Sequence, residues 1–546
     1  MHPLTLVLAL SLLVVSHDVR ANTANSATTL LERARNATGG SAWDQVATIR
    51  RSYTSVPGEG ATENGTEIVD ARSGRYAAEV ASTNGLPMRF GWNGQRNWQS
   101  QYGISTWQEA APHGADRDAA FIRCLGQWYA RCEFGKDPAG GAGKFSDEGE
   151  RQHAGENYSV VRVVSSSHHP IEYWINRRTW RIERVGYGID EGASPSTIVD
   201  YADFRQVGAV QMPFEERTTR VTPAGTRLLR VERVTAAAVN PAVPAHAFDK
   251  PVDRPISGLA GHPDGVTVDL EQCADPSHLC VPVMLNGRGP FHFMLDSGAA
   301  LNLITPETAA RLGVRTEGRV MVQGTSDRTS GGGLATVART SLGSLTQEGQ
   351  TFAVLAIGYP GADGLLGFQW LRQAVTRIDW AARKLTFYDP ATYVYRGIAQ
   401  PRPLDFHGNV PRVEARIDGH AGWFNLDTGD FAGVTVNPAF AHATGLDASY
   451  TSGQETRYGG VGGSAQALLT QARLLEFGDA RLPGPQLQLS RQTRDLLSAP
   501  GLAGNLGYGV LHRFDIVLDY AHRHVYFEPN AETACTAPCA PPATGL

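Results

Sequence analysis

The feature that most restricts how this chain can fold is a segment that occurs twice. Residues Phe291–Thr305 read FHFMLDSGAALNLIT, and Trp423–Val436 read WFNLDTGDFAGVTV. In each copy an apolar run ends on a carboxylate (Asp296, Asp427). A small hydroxyl residue (Ser297, Thr428), a glycine (Gly298, Gly429) and a second apolar run follow. Glycine at that point frees the backbone to turn between two strands. A second pair of segments follows at similar distance: in Asp363–Pro390 and Ala503–Pro529, Gly364, Gly367, Leu371, Asp379 and Phe387 fall opposite Gly504, Gly507, Leu511, Asp519 and Phe527 without a gap. Asp296 to Gly367 spans 71 residues and Asp427 to Gly507 spans 80, so one longer loop accounts for the difference. Repetition of a whole β unit predicts two lobes related by an approximate two-fold axis. Pro306–Leu312 and Pro438–Leu446 stand at nearly the same offset after each Asp. Both begin on proline, which suits a first helical turn, so each lobe should carry one short helix behind its Asp loop.

At these residues the chain resembles the aspartic peptidases of the pepsin and retropepsin type, in particular bacterial retropepsin-like domains in tandem, over about residues 265–530. The resemblance rests on the two Asp-Ser/Thr-Gly loops and on Leu365-Leu366-Gly367 with Asn505-Leu506-Gly507. It implies a bilobal β fold, a peptide or protein substrate, no cofactor, and Asp296 and Asp427 as the catalytic pair. The physical reason for a pair is independent of any family. Carboxylates ~3 Å apart cannot both ionise, so they share one proton, one serving as base to water and the other as acid to the carbonyl. Ser297 and Thr428 would hold the loops by hydrogen bonds, and Gly298 and Gly429 would let the two backbones approach. Two residues depart from the pattern. Asn505 replaces an apolar residue, and Asp430 follows the second glycine where Ala299 follows the first. A third carboxylate pointing inward would raise the pair's proton affinity. It would equally suit a half that binds without hydrolysing.

The hairpin Val320–Gly333 and the matching Arg457–Ser464 are rich in glycine. Peptidases of this type close such hairpins over substrate, which makes Gly324, Tyr458, Gly459 and Gly460 flap candidates, with two exposed β turns as the plain alternative.

The rest of the chain reads differently. Residues 4–15 (LTLVLALSLLVV) form a short apolar run before Val19-Arg20-Ala21, which suits a signal peptide over 1–21 and no membrane segment after its removal. Six cysteines fall in three close pairs, Cys124 with Cys132, Cys273 with Cys280 and Cys535 with Cys539. Local disulfides in a periplasmic or secreted protein would look like this, although six cysteines allow fifteen connectivities. A net charge of −5 without a long basic run argues against nucleic acid. The pairs His168-His169 and His522/His524 have no third ligand at suitable spacing, so no metal is expected.

Residues 22–239 should form one domain. Thr28–Ala37 is amphipathic, with Leu30, Leu31 and Ala34 on one face and Gly39-Gly40 as a stop. Alternating runs at Tyr158–Val164, Ile171–Ile175, Trp180–Val185, Thr197–Tyr201 and Arg227–Val234 predict one large antiparallel sheet. With Gly39, Gly40 and Trp43, and with YADFRQVGAVQMPFEE at Tyr201–Glu216, this part resembles the curved half-barrel of periplasmic lipoprotein-sorting proteins. That would imply a cavity for lipid, acyl chain or apolar peptide. Residues 240–263 hold five prolines and read as a linker. Residues 264–397 and 398–530 are then the two peptidase lobes, and 531–546 a tail. The whole reads as an exported aspartic endopeptidase of mainly β fold. The alternative from another class is a non-catalytic periplasmic lipid or lipoprotein carrier, its degenerate peptidase-like lobes recognising a partner.

Overall fold

A computed structural model describes residues 26–58, 62–82, 87–107, 144–165, 168–187, 197–222, 225–273, 279–324, 329–359, 361–461, 463–491 and 501–530. The signal segment, the tail and the pairs Cys124/Cys132 and Cys535/Cys539 lie outside them. The described residues pack as two compact units that divide between Val252 and Asp253, with Tyr102–Ile104 belonging to the second. The protein is mainly β. Among the described residues no helix is long and apolar enough to cross a membrane.

The first unit is a thirteen-stranded sheet. Six strands, from Thr48–Pro57 to Ile104–Trp107, follow one another towards one edge. Gly225–Val239 returns beside Thr48–Pro57, and the order then runs back to Lys144–His153 at the other edge. Its helix spans residues 26–37, starting slightly before the amphipathic pattern does. Ala27, Leu31 and Ala34 are buried in one core with Ile49, Val161, Ile171, Tyr173 and Met212. Gly39 and Gly40 take positive φ of 141° and 53°, which ends the helix and turns the chain onto Trp43. Trp43 is fully buried, and its indole N–H donates to Thr38 O at 3.1 Å. Trp180, expected in a strand, follows the turn at Arg177–Thr179 with φ 55°, and the strand begins at Ile182.

Alternation along Thr48–Pro57 buries Ile49, Arg51, Tyr53 and Ser55. Arg51 is ion-paired to Glu67 and to Glu216, and buried Glu232 lies in the same charged group. That face therefore passes from apolar at Ile49 to ionic at Arg51. Residues expected as a linker are ordered. Asn240 Oδ1 accepts from Ala47 N at 2.7 Å, Phe248 O accepts from the Trp98 indole at 2.9 Å, and Ile256 and Leu259 join the core of the second unit.

In the second unit each sequence repeat builds its own sheet. The first gives eight strands in the span Glu271–Leu366, and the second gives strands in the span Asp405–Leu506. A third sheet of six strands draws on both. Val375–Asp379 pairs antiparallel with Phe514–Asp519, with Thr376 opposite Leu518 and Ile378 opposite Ile516. The two expected helices form at Pro306–Leu312 and Pro438–Thr444, and a further turn of helix follows at Leu446–Ser449. Thr305 and Asn437 cap them by accepting from Thr308 N and Phe440 N, each cap being worth ~1 kcal/mol. Gly313 and Gly445 stop them at positive φ of 67° and 73°. Cys273 forms a disulfide with Cys280, which lies in the strand Leu279–Leu285.

Candidate active site

The same backbone bond places each Asp. Strand Arg288–Leu295 runs parallel to Gly364–Leu366 with Leu295 opposite Leu366, and Asp296 N donates to Leu366 O at 3.0 Å. Strand His420–Leu426 runs parallel to Leu502–Leu506 with Leu426 opposite Leu506, and Asp427 N donates to Leu506 O at 3.0 Å. Phe293, Leu295, Phe424 and Leu426 are buried on one face of their strands, and Met294 and Asn425 on the other. Each carboxylate is the first residue past the sheet's end.

The two loops then clasp each other. Ser297 N donates to Thr428 Oγ1 and Thr428 N to Ser297 Oγ, both at 3.0 Å. Ser297 Oγ in turn donates to Leu426 O at 2.7 Å, and Thr428 Oγ1 to Leu295 O at 2.8 Å. Each hydroxyl thus accepts from one loop while donating to the strand beneath it. The glycines are needed for the contact. A Cβ on Gly298 would lie 2.5 Å from Asp427 Cγ, and one on Gly429 would lie 2.6 Å from Asp296 Cγ. The two carboxyls therefore meet, although they are 131 positions apart in the chain.

Burial raises both carboxyls. Asp296 is pushed up to about 6, chiefly by desolvation, against backbone N–H groups of Ala299 and Gly298 that favour its charge. Asp427 is held well above the usual carboxylate range by burial, then by the charges of Asp296 and Asp430. Asp427 Oδ1 accepts from Gly429 N at 3.0 Å and Asp430 N at 3.2 Å, and its Oδ2 accepts from the Asn505 amide at 2.9 Å.

The two glycine-rich hairpins form from Glu317–Gln323 with Thr329–Leu342 and from Gln454–Gly460 with Gly463–Gln471. Their tips meet. Gly324 is so close to Val461 that a Cβ on it would overlap the Val461 carbonyl oxygen. A Cβ on Gly459 would meet only open space, and one on Gly358 would lie 3.1 Å from Gly460 O. Tyr458 lies on the strand Gln454–Gly460. Its ring is buried with Ala465 and Ala467, and its hydroxyl bonds Ser490 Oγ at 3.0 Å. An aromatic hydroxyl reaches the loops from elsewhere: Tyr359 OH lies 3.4 Å from Gly429 O, and burial beside Asp296, Asp427 and Asp430 raises its pKa far above normal. Tyr359 falls in the loop before Asp363, where nothing periodic or repeated marks it. His522 stands in the turn before the last strand, 2.9 Å from Asp519.

A model of the aspartyl protease family matches residues 281–370, which include the first Asp loop and the segment that pairs with it. No curated protein is similar to the chain in sequence. Among solved structures, the chain is similar to an aspartic proteinase from Irpex lacteus, at 15% identity and a TM-score of 0.35 over 50% of this chain and 99% of that one. It is also similar to a LolA superfamily protein from Nitrosomonas europaea, at 11% identity and a TM-score of 0.30 over 41% of this chain and 97% of that one. Basic 7S globulin from soybean is a further similar structure, at 12% identity and a TM-score of 0.31 over 48% of this chain and 94% of that one.

Proposed function

We propose that the second unit is an aspartic endopeptidase whose catalytic pair is Asp296 and Asp427. The observation that carries this reading is the reciprocal clasp of Ser297 and Thr428, which seats each glycine against the other loop's carboxyl. The aspartyl protease match to residues 281–370 supports it independently. One carboxylate of the pair takes a proton from water while the water oxygen bonds to the peptide carbonyl carbon. The other gives its proton to the carbonyl oxygen. Collapse of the resulting diol breaks the C–N bond, and the amine leaves with a proton returned through the pair. No cofactor enters, and no covalent bond to the enzyme forms. The hairpins meeting at Gly324 and Val461 would close over an extended peptide and exclude water.

The Cys273–Cys280 disulfide supports an exported, periplasmic or secreted protein. For the first unit, we infer a lipid, acyl-chain or peptide ligand, as the lipoprotein-sorting resemblance implies.

The test is to incubate the protein with an unfolded protein substrate from pH 3 to pH 9, with and without pepstatin, beside Asp296→Asn and Asp427→Asn. Cleavage is expected only from the unaltered chain, and pepstatin should block it. Cleavage that survives both substitutions refutes the assignment, as does the absence of cleavage at every pH.

A further inference from the structure

The second repeat carries a polar ladder where the first carries an apolar one. In the first, Leu365 lies between Met294 on the strand leading to Asp296 and Leu303 on the strand that follows. In the second, the corresponding places are taken by Asn505 between Asn425 and Thr435. All three are buried. Three buried polar side chains in one row of a sheet are expensive unless they bond one another or a neighbour.

Their bonds converge on the catalytic loop. Asn425 Nδ2 donates to Asn505 Oδ1 at 2.9 Å. Asn505 Nδ2 donates to Asp427 Oδ2 at 2.9 Å and lies 3.4 Å from Asp430 Oδ2. Asp430 Oδ2 also lies 3.4 Å from Thr435 Oγ1, while its Oδ1 accepts from Ala432 N at 2.9 Å. Asp430 is thus turned into the protein, against the ladder. Two carboxylates on one side of the Asn505 amide fix which of its ends faces them, since a flipped amide would set oxygen against oxygen. The two departures from the family pattern, Asp430 and Asn505, are therefore one arrangement.

We infer that Asn505 is a positioning residue for the Asp pair: it holds Asp427 Oδ2 in a fixed plane, and with Asp430 it sets how tightly the pair keeps its shared proton. The inference rests on the peptidase reading for its consequence, but not for its test. The two residues act in opposite directions. An N–H donated to a carboxylate favours the charged form, whereas a neighbouring carboxylate disfavours it. The titratable groups facing the pair are Asp430, Tyr359 over Gly429, and Tyr520, whose buried hydroxyl lies near both Asp296 and Asp427. Both tyrosines stay neutral where carboxyls titrate, so the negative charge beside the pair comes from Asp430. In the first repeat Leu365 offers Asp296 no donor, so the arrangement makes the two carboxyls unequal.

The experiment follows the side-chain carboxyl carbons by NMR across pH in the full chain labelled with ¹³C-aspartate, with Asp296→Asn and Asp427→Asn assigning the pair's signals. Asn505→Leu leaves the buried Asn425 amide without its acceptor, so Asn425→Met is added beside it to reproduce the first repeat's Met294–Leu365 pair. This double variant should raise the pair's apparent pKa by about one pH unit. Asp430→Asn should lower it by a similar amount. If peptidase activity is present, the acidic limb of kcat/KM should move with the NMR titration in each variant. Titrations of the double variant and Asp430→Asn that coincide with the unaltered chain, or that shift the same way, overturn the inference. Loss of peptidase activity at every pH in the unaltered chain would instead refute the proposed function, and the titrations would still decide this point.

Discussion

Removing one hydroxyl from the clasp should loosen both loops together. Thr428→Val keeps the side chain's shape but loses the bond accepted from Ser297 N at 3.0 Å and the one donated to Leu295 O at 2.8 Å. Both sites are buried, and a buried backbone group left without its partner costs ~1–3 kcal/mol. The expected loss is ~2–6 kcal/mol, a large share of the ~5–15 kcal/mol that keeps an ordinary domain folded. Ser297→Ala removes the complementary pair, Thr428 N to Ser297 Oγ and Ser297 Oγ to Leu426 O. Because each loop is held by the other, the second loss should cost less than the first, giving a coupling of ~1–2 kcal/mol in the double-variant cycle. A displacement of ~1 Å at the carboxyls should also cost ~100-fold in rate. Denaturant unfolding of the four proteins, with kcat/KM on a quenched fluorescent peptide, measures both effects. The reasoning fails if Thr428→Val loses under ~1 kcal/mol with kcat/KM unchanged. Strictly additive losses would refute the mutual clasp.

Two further expectations concern pH. With Asp296 titrating at about 6 and Asp427 higher, both carboxyls carry protons in more acidic solution and no base remains. Cleavage should therefore rise with pH through about 6 and fall only when the second proton leaves, and maximal kcat/KM at pH 3–4 would contradict this. The same shift has a stability sign. An unfolded Asp titrates near ~3.9, so the folded state holds this proton more tightly, and the stability so gained is complete below ~pH 3.9. It is lost as pH rises through about 6. Asp296→Asn should accordingly be more stable than the unaltered chain at pH 8, by up to ~3 kcal/mol, with the difference closing below ~pH 4. Thermal unfolding at the two pH values checks it, and an Asn variant less stable at pH 8 would reverse the argument.

The meeting of the two Asp loops was legible because it is written twice. Carboxylate, hydroxyl and glycine recur at fixed offsets, and each role follows from the residue's chemistry. The short helices were legible for a similar reason, their proline starts and glycine stops being local signals. What escaped came from contacts between distant segments. Tyr458 stands in a glycine-rich hairpin, and its hydroxyl bonds Ser490, 32 residues on, which no local pattern announces. Tyr359 reaches Gly429 across 70 residues, with no pattern to announce it. Asn505 and Asp430 were visible as departures, but their distance from each other is a fact of the sheet, set by Asn425 and Thr435 on either side. The resemblance to the lipoprotein-sorting half-barrel implied an apolar cavity in the first unit. Whether alternation puts Arg51, Glu67 and Glu216 on the covered face depends on strand pairing that a single strand does not encode.

Carrying both halves of the site on one polypeptide has a consequence for how such a protein can change. An enzyme assembled from two identical short chains must accept every substitution twice, once on each side of its symmetry. Here the asparagine row accompanies Asp427 and has no echo beside Asp296, a one-sided specialisation open only to a fused gene product. Because both carboxylates travel on a single molecule, dilution cannot separate them.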